Sequence, residues 1–105
     1  MIPKLIKCDE PMIKSYKDAN AVAIFNGQRP GKRFPPDLIR PARRKLIMLD
    51  AAATLDDLRT PPSNHLEKLG RNRKGQHSIR INDQFRACFV WTGTGVKNVE
   101  ITDYH

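Results

Sequence analysis

The segments that decide the fold are His77-Ser-Ile-Arg-Ile-Asn-Asp-Gln-Phe-Arg-Ala-Cys-Phe-Val-Trp91 and Val96-Lys-Asn-Val-Glu-Ile-Thr-Asp-Tyr-His105. Apolar and polar residues alternate in them, as in half-buried strands, and Asn82-Asp83 and Gly93-Thr94-Gly95 supply turn residues. The pattern predicts three antiparallel strands. One face carries Ile79, Ile81, Phe85, Ala87, Phe89 and Trp91, and the other carries Arg80, Arg86, Cys88 and Val90.

A strand and a short helix are predicted before this sheet. The alternation in Met12–Lys17 favours a first strand, and Asp18 is a good N-cap for a helix over Ala19–Phe25 that Asn26-Gly27 ends. Residues 1–11 are interpreted as an appended, dispensable extension, because Met12 offers a second plausible start. The domain itself is predicted to cover residues 12–105.

The main helix is predicted over about Leu38–Ala53, after a basic Gly/Pro loop. Its apolar stripe repeats at helical spacing and consists of Leu38, Ala42, Leu46, Leu49 and Ala53. With Asp37 as N-cap, Pro41 becomes the fourth helical residue and removes only one intrahelical bond. The cations Arg40, Arg43, Arg44 and Lys45 then fall off the stripe, toward solvent or a partner.

The connection to the sheet begins with Thr54-Leu-Asp-Asp57, which resembles a capping box, and Pro61-Pro62 stops the turns that it opens. Ser63–Gln76 is predicted to be a polar, cationic loop. The resulting order is β-α-α-β-β-β, an α+β single domain whose helices cover one face of an antiparallel sheet.

Charge is concentrated in two segments of this 105-residue chain of net charge +8. Residues 29–45 hold seven cations and one acid, and residues 68–80 hold five cations and no acid. Such blocks suit a polyanionic partner, and the alternative is a solvated basic face. We expect a soluble cytoplasmic protein, since no segment has the length of a membrane span or a signal-like apolar region, and no disulfide or metal site, since Cys8 and Cys88 show no ligand spacing.

The candidate chemistry lies at Arg86 and at the chain end. An arginine in mid-strand needs an anion, which is either a phosphate or a structural partner such as Asp103 or Glu100 on the neighbouring strand. Tyr104 and His105 are either a frayed tail or candidates for proton transfer, and the apolar strand before them, with Val99 and Ile101, weakens the first alternative.

The chain resembles the HigB branch of the RelE-type toxins. The resemblance is carried by Lys45-Leu-Ile-Met-Leu-Asp-Ala-Ala-Ala-Thr-Leu-Asp-Asp-Leu-Arg-Thr-Pro-Pro-Ser-Asn64, Leu66-Glu-Lys-Leu69, Gly75-Gln-His-Ser-Ile-Arg-Ile-Asn-Asp-Gln-Phe-Arg86 and Val99-Glu-Ile-Thr-Asp-Tyr-His105. It implies a toxin whose concave sheet face enters the ribosomal A site and cuts mRNA. Relatives tend to place a glycine at the position of Arg71 instead of Gly70, and a tryptophan at that of Phe85.

The resemblance also implies roles for individual residues. Arg73 and Arg86 match cations that stabilise the phosphate, and Asp103, Tyr104 and His105 match the functional C-terminal end. Further RNA-binding residues are expected among the basic side chains, namely Arg40, Arg43, Arg44, Lys45, Lys68, Arg71, Lys74, His77 and Arg80.

These residues suit RNA cleavage without a metal or other cofactor. The 2′-OH attacks the phosphate, arginines neutralise the phosphorane, and His105 or Tyr104 transfers protons, which leaves a 2′,3′-cyclic phosphate and a 5′-OH. The expected partners are a HigA-like helix-turn-helix antitoxin, the ribosome with its mRNA, operator DNA only through the antitoxin complex, and no membrane. The alternatives are a non-catalytic RNA- or DNA-binding module and an inactive toxin that acts in transcriptional autoregulation.

Overall fold

Two helices cover one face of a four-stranded antiparallel sheet in the computed structural model, which describes residues 12–103. The strands are neighbours in chain order: β1 (Glu67–Lys68), β2 (His77–Arg80), β3 (Phe85–Thr92) and β4 (Gly95–Asp103). The predicted α+β class is therefore confirmed. Within residues 12–103, no helix is long and apolar enough to span a membrane.

The first helix, α1 (Ala19–Phe25), has the predicted bounds and the predicted cap. Asp18 accepts a hydrogen bond from the Asn20 N–H at 2.9 Å through one carboxylate oxygen. Its other oxygen accepts from the Ile101 N–H of β4 at 3.1 Å. One carboxylate therefore begins the helix and also fixes it to the sheet.

The main helix is shorter than predicted and begins differently. A 3₁₀ turn over Pro36–Leu38 leads into α2 (Ile39–Ala51), so the prediction of Asp37 as N-cap is wrong, and Leu38 takes that position without a side-chain cap. Pro41 becomes the third residue of α2, where a backbone N–H has no intrahelical acceptor to lose. Leu38, Ala42, Leu46 and Leu49 are buried as the stripe predicted, but Ala53 lies beyond the helix and Ala52 is buried instead.

The segment after α2 is more ordered than the predicted loop. The capping box at Thr54 is present and opens a 3₁₀ helix over Leu55–Arg59. Two further 3₁₀ turns cover Pro62–Asn64 and Arg71–Arg73, and between them β1 pairs with β2, with Glu67 opposite Ser78 and Lys68 opposite His77. The prediction that Ser63–Gln76 is a loop throughout is therefore wrong.

The predicted first strand is reduced to two isolated bridges that run parallel to β4, Ile13 with Val96 and Tyr16 with Val99. Ile13 is buried, and its N–H donates to Asp50 of α2 at 3.1 Å. This segment thus closes the outer side of β4. Residues 1–11 lie outside the described residues, so their dispensability stays a prediction.

The core lies between the helices and the face of the sheet that carries Ile79, Ala87 and Phe89. A register shift after Cys88, with Asn98 at a positive φ of 57°, adds one residue to β4. Both Val96 and Val99 are buried as a result, although simple alternation would place them on opposite faces.

Candidate active site on the arginine face of the sheet

Two arginines stand opposite each other on the sheet face that is turned away from Ile79 and Phe89. The register of β2 and β3 pairs Arg80 with Arg86 and Ser78 with Cys88. Like charges at directly opposed positions destabilise a sheet, so a bound anion would relieve this pair. Arg80 also forms an ion pair with the exposed Asp83 of the turn. We call this side of the sheet the arginine face.

Arg86 is only 9% exposed, and several groups hold its guanidinium. Its Nε donates to Ser78 Oγ at 2.7 Å, and its Nη2 donates to the backbone carbonyl of His65 at 2.5 Å. Glu67 of β1 adds an ion pair, with its Oε1 3.7 Å from Nη2. Glu67 lies on a strand that the sequence did not predict, and the sequence suggested Asp103 or Glu100 as the structural partner of Arg86.

Arg73 is fixed on the same face by β4. Its Nη1 donates to Glu100 Oε2 at 2.9 Å and to Gln76 Oε1 at 3.2 Å. Glu100 also lies 3.8 Å from the Lys17 ammonium. Because the Arg73 side chain is 30% exposed, it combines a fixed position with access to a ligand.

Arg73 and Arg86 both lie close enough to the Cys88 thiol to affect its pKa. Burial raises the pKa of its thiol, and the positive charges of Arg73 and Arg86 and a hydrogen bond with Thr102 partly oppose that rise. Cys88 is fully buried, and its thiol senses the charge of both arginines. A raised thiol pKa disfavours a nucleophilic role for Cys88.

The end of β4 lies beside Arg86. Thr102 is the register partner of Arg86, and Asp103 is that of Phe85. The exposed Asp103 accepts a hydrogen bond from Gln84 Nε2 at 2.9 Å. The chain continues into Tyr104 and His105, which lie outside the described residues, so their proposed roles stay predictions.

His77 lies on the core side of the sheet instead. It is paired with Phe89 across β2 and β3, and the two rings stack with centroids 6.2 Å apart. Burial and the nearby Lys68 lower the pKa of the imidazole, and its buried Nδ1 has no hydrogen-bond partner among the described residues. The structure therefore does not bring His77 to Arg86 and Arg73.

The cations of α2 were expected to face solvent or a partner, and Lys45 is instead buried within the fold. Three arginines of α2 are exposed, and we call them the helical arginines: Arg40, Arg43 and Arg44. Lys45 is only 8% exposed, and its Nζ donates to Asn64 Oδ1 at 2.5 Å. Burial and the charges of Arg44 and Arg80 lower the pKa of the Lys45 ammonium. Lys45 is therefore held by Asn64 and does not project to solvent.

The remaining predicted cations, Lys68, Arg71 and Lys74, are exposed on β1 and the following loop. Arg71 has a left-handed backbone with φ of 52°, whereas Gly70 has an ordinary extended one. The position at which relatives tend to carry glycine is thus the one that needs it here. Among residues 12–103, no three His, Cys, Asp or Glu side chains gather into a metal-binding group.

Sequence reasoning missed three partners of Arg86, namely Ser78, Glu67 and the carbonyl of His65. Alternation in β2 could have shown Ser78, which shares its face with Arg80. The other two depend on the chain path between Pro62 and Lys68, for which the local sequence carries no strand signal.

Known toxins resemble this chain over most of its length. The family described as "RelE-like toxin of type II toxin-antitoxin system HigB" matches residues 14–105. The chain belongs to the HigB-like toxins. It is 38% identical to Toxin HigB-1 of Vibrio cholerae serotype O1 over 80 residues, which cover 76% of this chain and 84% of that toxin.

Two further relatives support the family and the fold. An uncharacterised protein of Haemophilus influenzae is 37% identical over 67 residues, 64% of this chain and 66% of that protein. The structure of the YoeB dimer from Staphylococcus aureus has a TM-score of 0.54 at 20% identity, over 89% of this chain and 94% of that one, a likeness that concerns the fold alone. This HigB-like chain is thus a toxin of a type II toxin–antitoxin system, which implies an antitoxin partner.

Proposed function

We propose that this HigB-like toxin is a ribosome-dependent endoribonuclease that cleaves mRNA without a metal and so stops translation in the cytoplasm. The observation that supports this most is the opposed Arg80–Arg86 pair, with Arg73 on the same face. The guanidinium groups of Arg73 and Arg86 lie near one buried thiol, Cys88, and Arg80 is the register partner of Arg86, so this face favours a phosphate that gains charge in its transition state.

The cleavage uses the nucleophile that RNA carries. The 2′-oxygen bonds to the adjacent phosphorus and its proton passes to a base, while the 5′-oxygen leaves and takes up a proton. In this proposal Arg86 and Arg73 stabilise the phosphorane, and Asp103, Tyr104 and His105 transfer the protons and orient the groups that do so. An imidazole with an ordinary pKa of about 6.5 suits both proton transfers near neutral pH.

The other cations are proposed to hold RNA outside the reacting phosphate. The helical arginines, together with Lys68, Arg71 and Lys74, are exposed and would contact ribosomal RNA or the mRNA backbone. A HigA-like helix-turn-helix antitoxin is the proposed neutralising partner, and operator DNA would be reached only through that complex.

The terminal pair gives the decisive experiment. Programmed ribosomes are mixed with the full chain or with a chain that lacks Tyr104 and His105, and mRNA cleavage and the thermal transition are both measured. We expect an intact fold and a loss of cleavage of about 10²–10⁴-fold, the range for removing an acid–base group. A folded, fully active truncated chain would show that the terminal pair has no catalytic role.

Arg86 is tested by two variants, because Arg86→Ala leaves buried partners without a donor and can lower stability. Arg86→Lys keeps the charge but loses the planar fork, so it should fold and still cleave slowly. Arg59→Ala is the matched control, since Arg59 is exposed and paired only locally with Asp56. If ribosome-bound mRNA stays intact with the wild-type chain, the chain is a non-catalytic RNA-binding module or an inactive toxin that acts in autoregulation.

A further inference from the structure

Asn64 is a fully buried polar residue that ends the 3₁₀ turn Pro62–Asn64, directly before the residue that contacts Arg86. Its Nδ2 donates to the carbonyl of Leu58 at 3.1 Å and to that of Thr60 at 3.4 Å, and its Oδ1 accepts from Lys45 Nζ at 2.5 Å. Both ends of the amide are therefore used, so its orientation is fixed. The lysine thereby ties α2 to a turn nineteen residues further along the chain.

The next residue brings this turn to the arginine face. His65 has a left-handed backbone, with φ of 45° and ψ of 58°, and its N–H donates to the Pro62 carbonyl at 3.0 Å. Its own carbonyl accepts the hydrogen bond from Arg86 Nη2. A residue other than glycine adopts this conformation at a cost in free energy. The surrounding contacts must therefore hold it in place.

We propose that Lys45 and Asn64 are positioning residues for Arg86, because together they fix the turn whose His65 carbonyl orients the guanidinium on the arginine face. The orientation of Arg86 does not depend on the proposed function, and only the expected effect on cleavage rests on it. Ser78 Oγ and Glu67 also hold Arg86, so loss of Lys45 should misalign the guanidinium rather than release it.

Lys45 is suited to a test because Met keeps the length of its side chain and removes the bond to Asn64. Lys45→Met leaves the buried Asn64 Oδ1 without a donor, so it should lower the free energy of unfolding by about 1–3 kcal/mol. Thermal unfolding is therefore measured first, and cleavage is compared at a temperature at which the variant is fully folded. Lys97→Met is the matched control, since Lys97 is exposed on β4.

The first measurement is a double-mutant cycle on single-turnover cleavage of ribosome-bound mRNA. Lys45→Met should slow the cleavage step about 10- to 100-fold, the scale of a misplaced catalytic group, with ribosome binding unchanged. In the Arg86→Ala background, Lys45→Met should cause no further loss, because its effect passes through Arg86. Equal losses in both backgrounds, or no loss in either, would overturn the proposal.

The second measurement does not depend on activity. The Nε–H and Nη signals of Arg86 are followed by NMR, and their exchange with solvent should be slow in the wild-type chain and in Lys97→Met but faster in Lys45→Met. An unchanged Arg86 signal in Lys45→Met would disprove positioning, whether or not the chain cleaves RNA. A chain that shows the NMR effect but cuts no mRNA would contradict the proposed function alone.

Discussion

Gly95, the first residue of β4, should not tolerate a side chain. It has a positive φ of 157°, and a Cβ there would lie 2.6 Å from the carbonyl oxygen of Met12 and 2.9 Å from carbons of the Lys14 side chain. That oxygen cannot move away freely, because it accepts a hydrogen bond from the Val96 N–H at 2.7 Å. A Gly95→Ala variant must therefore displace the segment that runs along β4.

The expected cost follows from these contacts. Backbone strain contributes about 1–3 kcal/mol, and each backbone hydrogen bond that loosens contributes about 0.5–1.5 kcal/mol. Since the segment can relax in part, we expect Gly95→Ala to lower the free energy of unfolding by about 2–4 kcal/mol, which in a domain of this size lowers the melting temperature by roughly 10–20 °C.

Thermal and urea unfolding of Gly95→Ala and Gly93→Ala provide the assay. Gly93 lies two residues earlier in the same turn, where a Cβ meets nothing within 4 Å, so this control should stay within about 0.5 kcal/mol of the wild type. Equal unfolding midpoints for the two variants would refute the reasoning, because they would show that the Met12–Lys17 segment contributes nothing to the fold.

Four other changes have defined outcomes. Alanine at all three helical arginines should weaken ribosome binding and flatten its dependence on salt, measured by co-sedimentation, and an unchanged salt slope would support a merely solvated face. Because the pKa of His77 is lowered in the folded state, its contribution to stability is present above about pH 6.5 and is lost as the pH falls through the folded pKa; His77→Phe should remove that acid-side loss in unfolding titrations. Arg71→Gly should leave the melting temperature unchanged or raise stability by up to about 1 kcal/mol, since it relieves a left-handed backbone, and a clear drop would contradict this. A chain without residues 1–11 should keep its melting temperature and its toxicity on induction.

Local signals predicted much of this fold. Asp18 and the Thr54 capping box mark the starts of helices through bonds to residues only two or three positions away. Alternation places Ile79 and Arg86 on opposite faces of the sheet. These features depend on neighbours in the chain, so the local sequence is enough to find them.

The features that sequence missed depend on distant partners. The two-residue β1 exists only because it pairs with β2, and Lys45 is buried only because Asn64 lies within reach of its ammonium. In the same way, hydrophobic spacing in α2 correctly marks the core but says nothing about which cation beside it turns inward. The candidate site was therefore predictable as a set of arginines, but not as the hydrogen-bonded arrangement that orients them.

The edges of the sheet limit how another chain can attach to it. β4 would be a long outer strand with unpaired backbone groups, but Met12–Lys17 occupies that side, and at the other side β1 is only two charged, exposed residues long. Strand addition, a common route to both aggregation and partner recognition, is thus hindered along Val96–Val99 and finds only a two-residue template at β1. An antitoxin strand that paired along Val96–Val99 would have to replace the hydrogen bonds that Met12–Lys17 makes there.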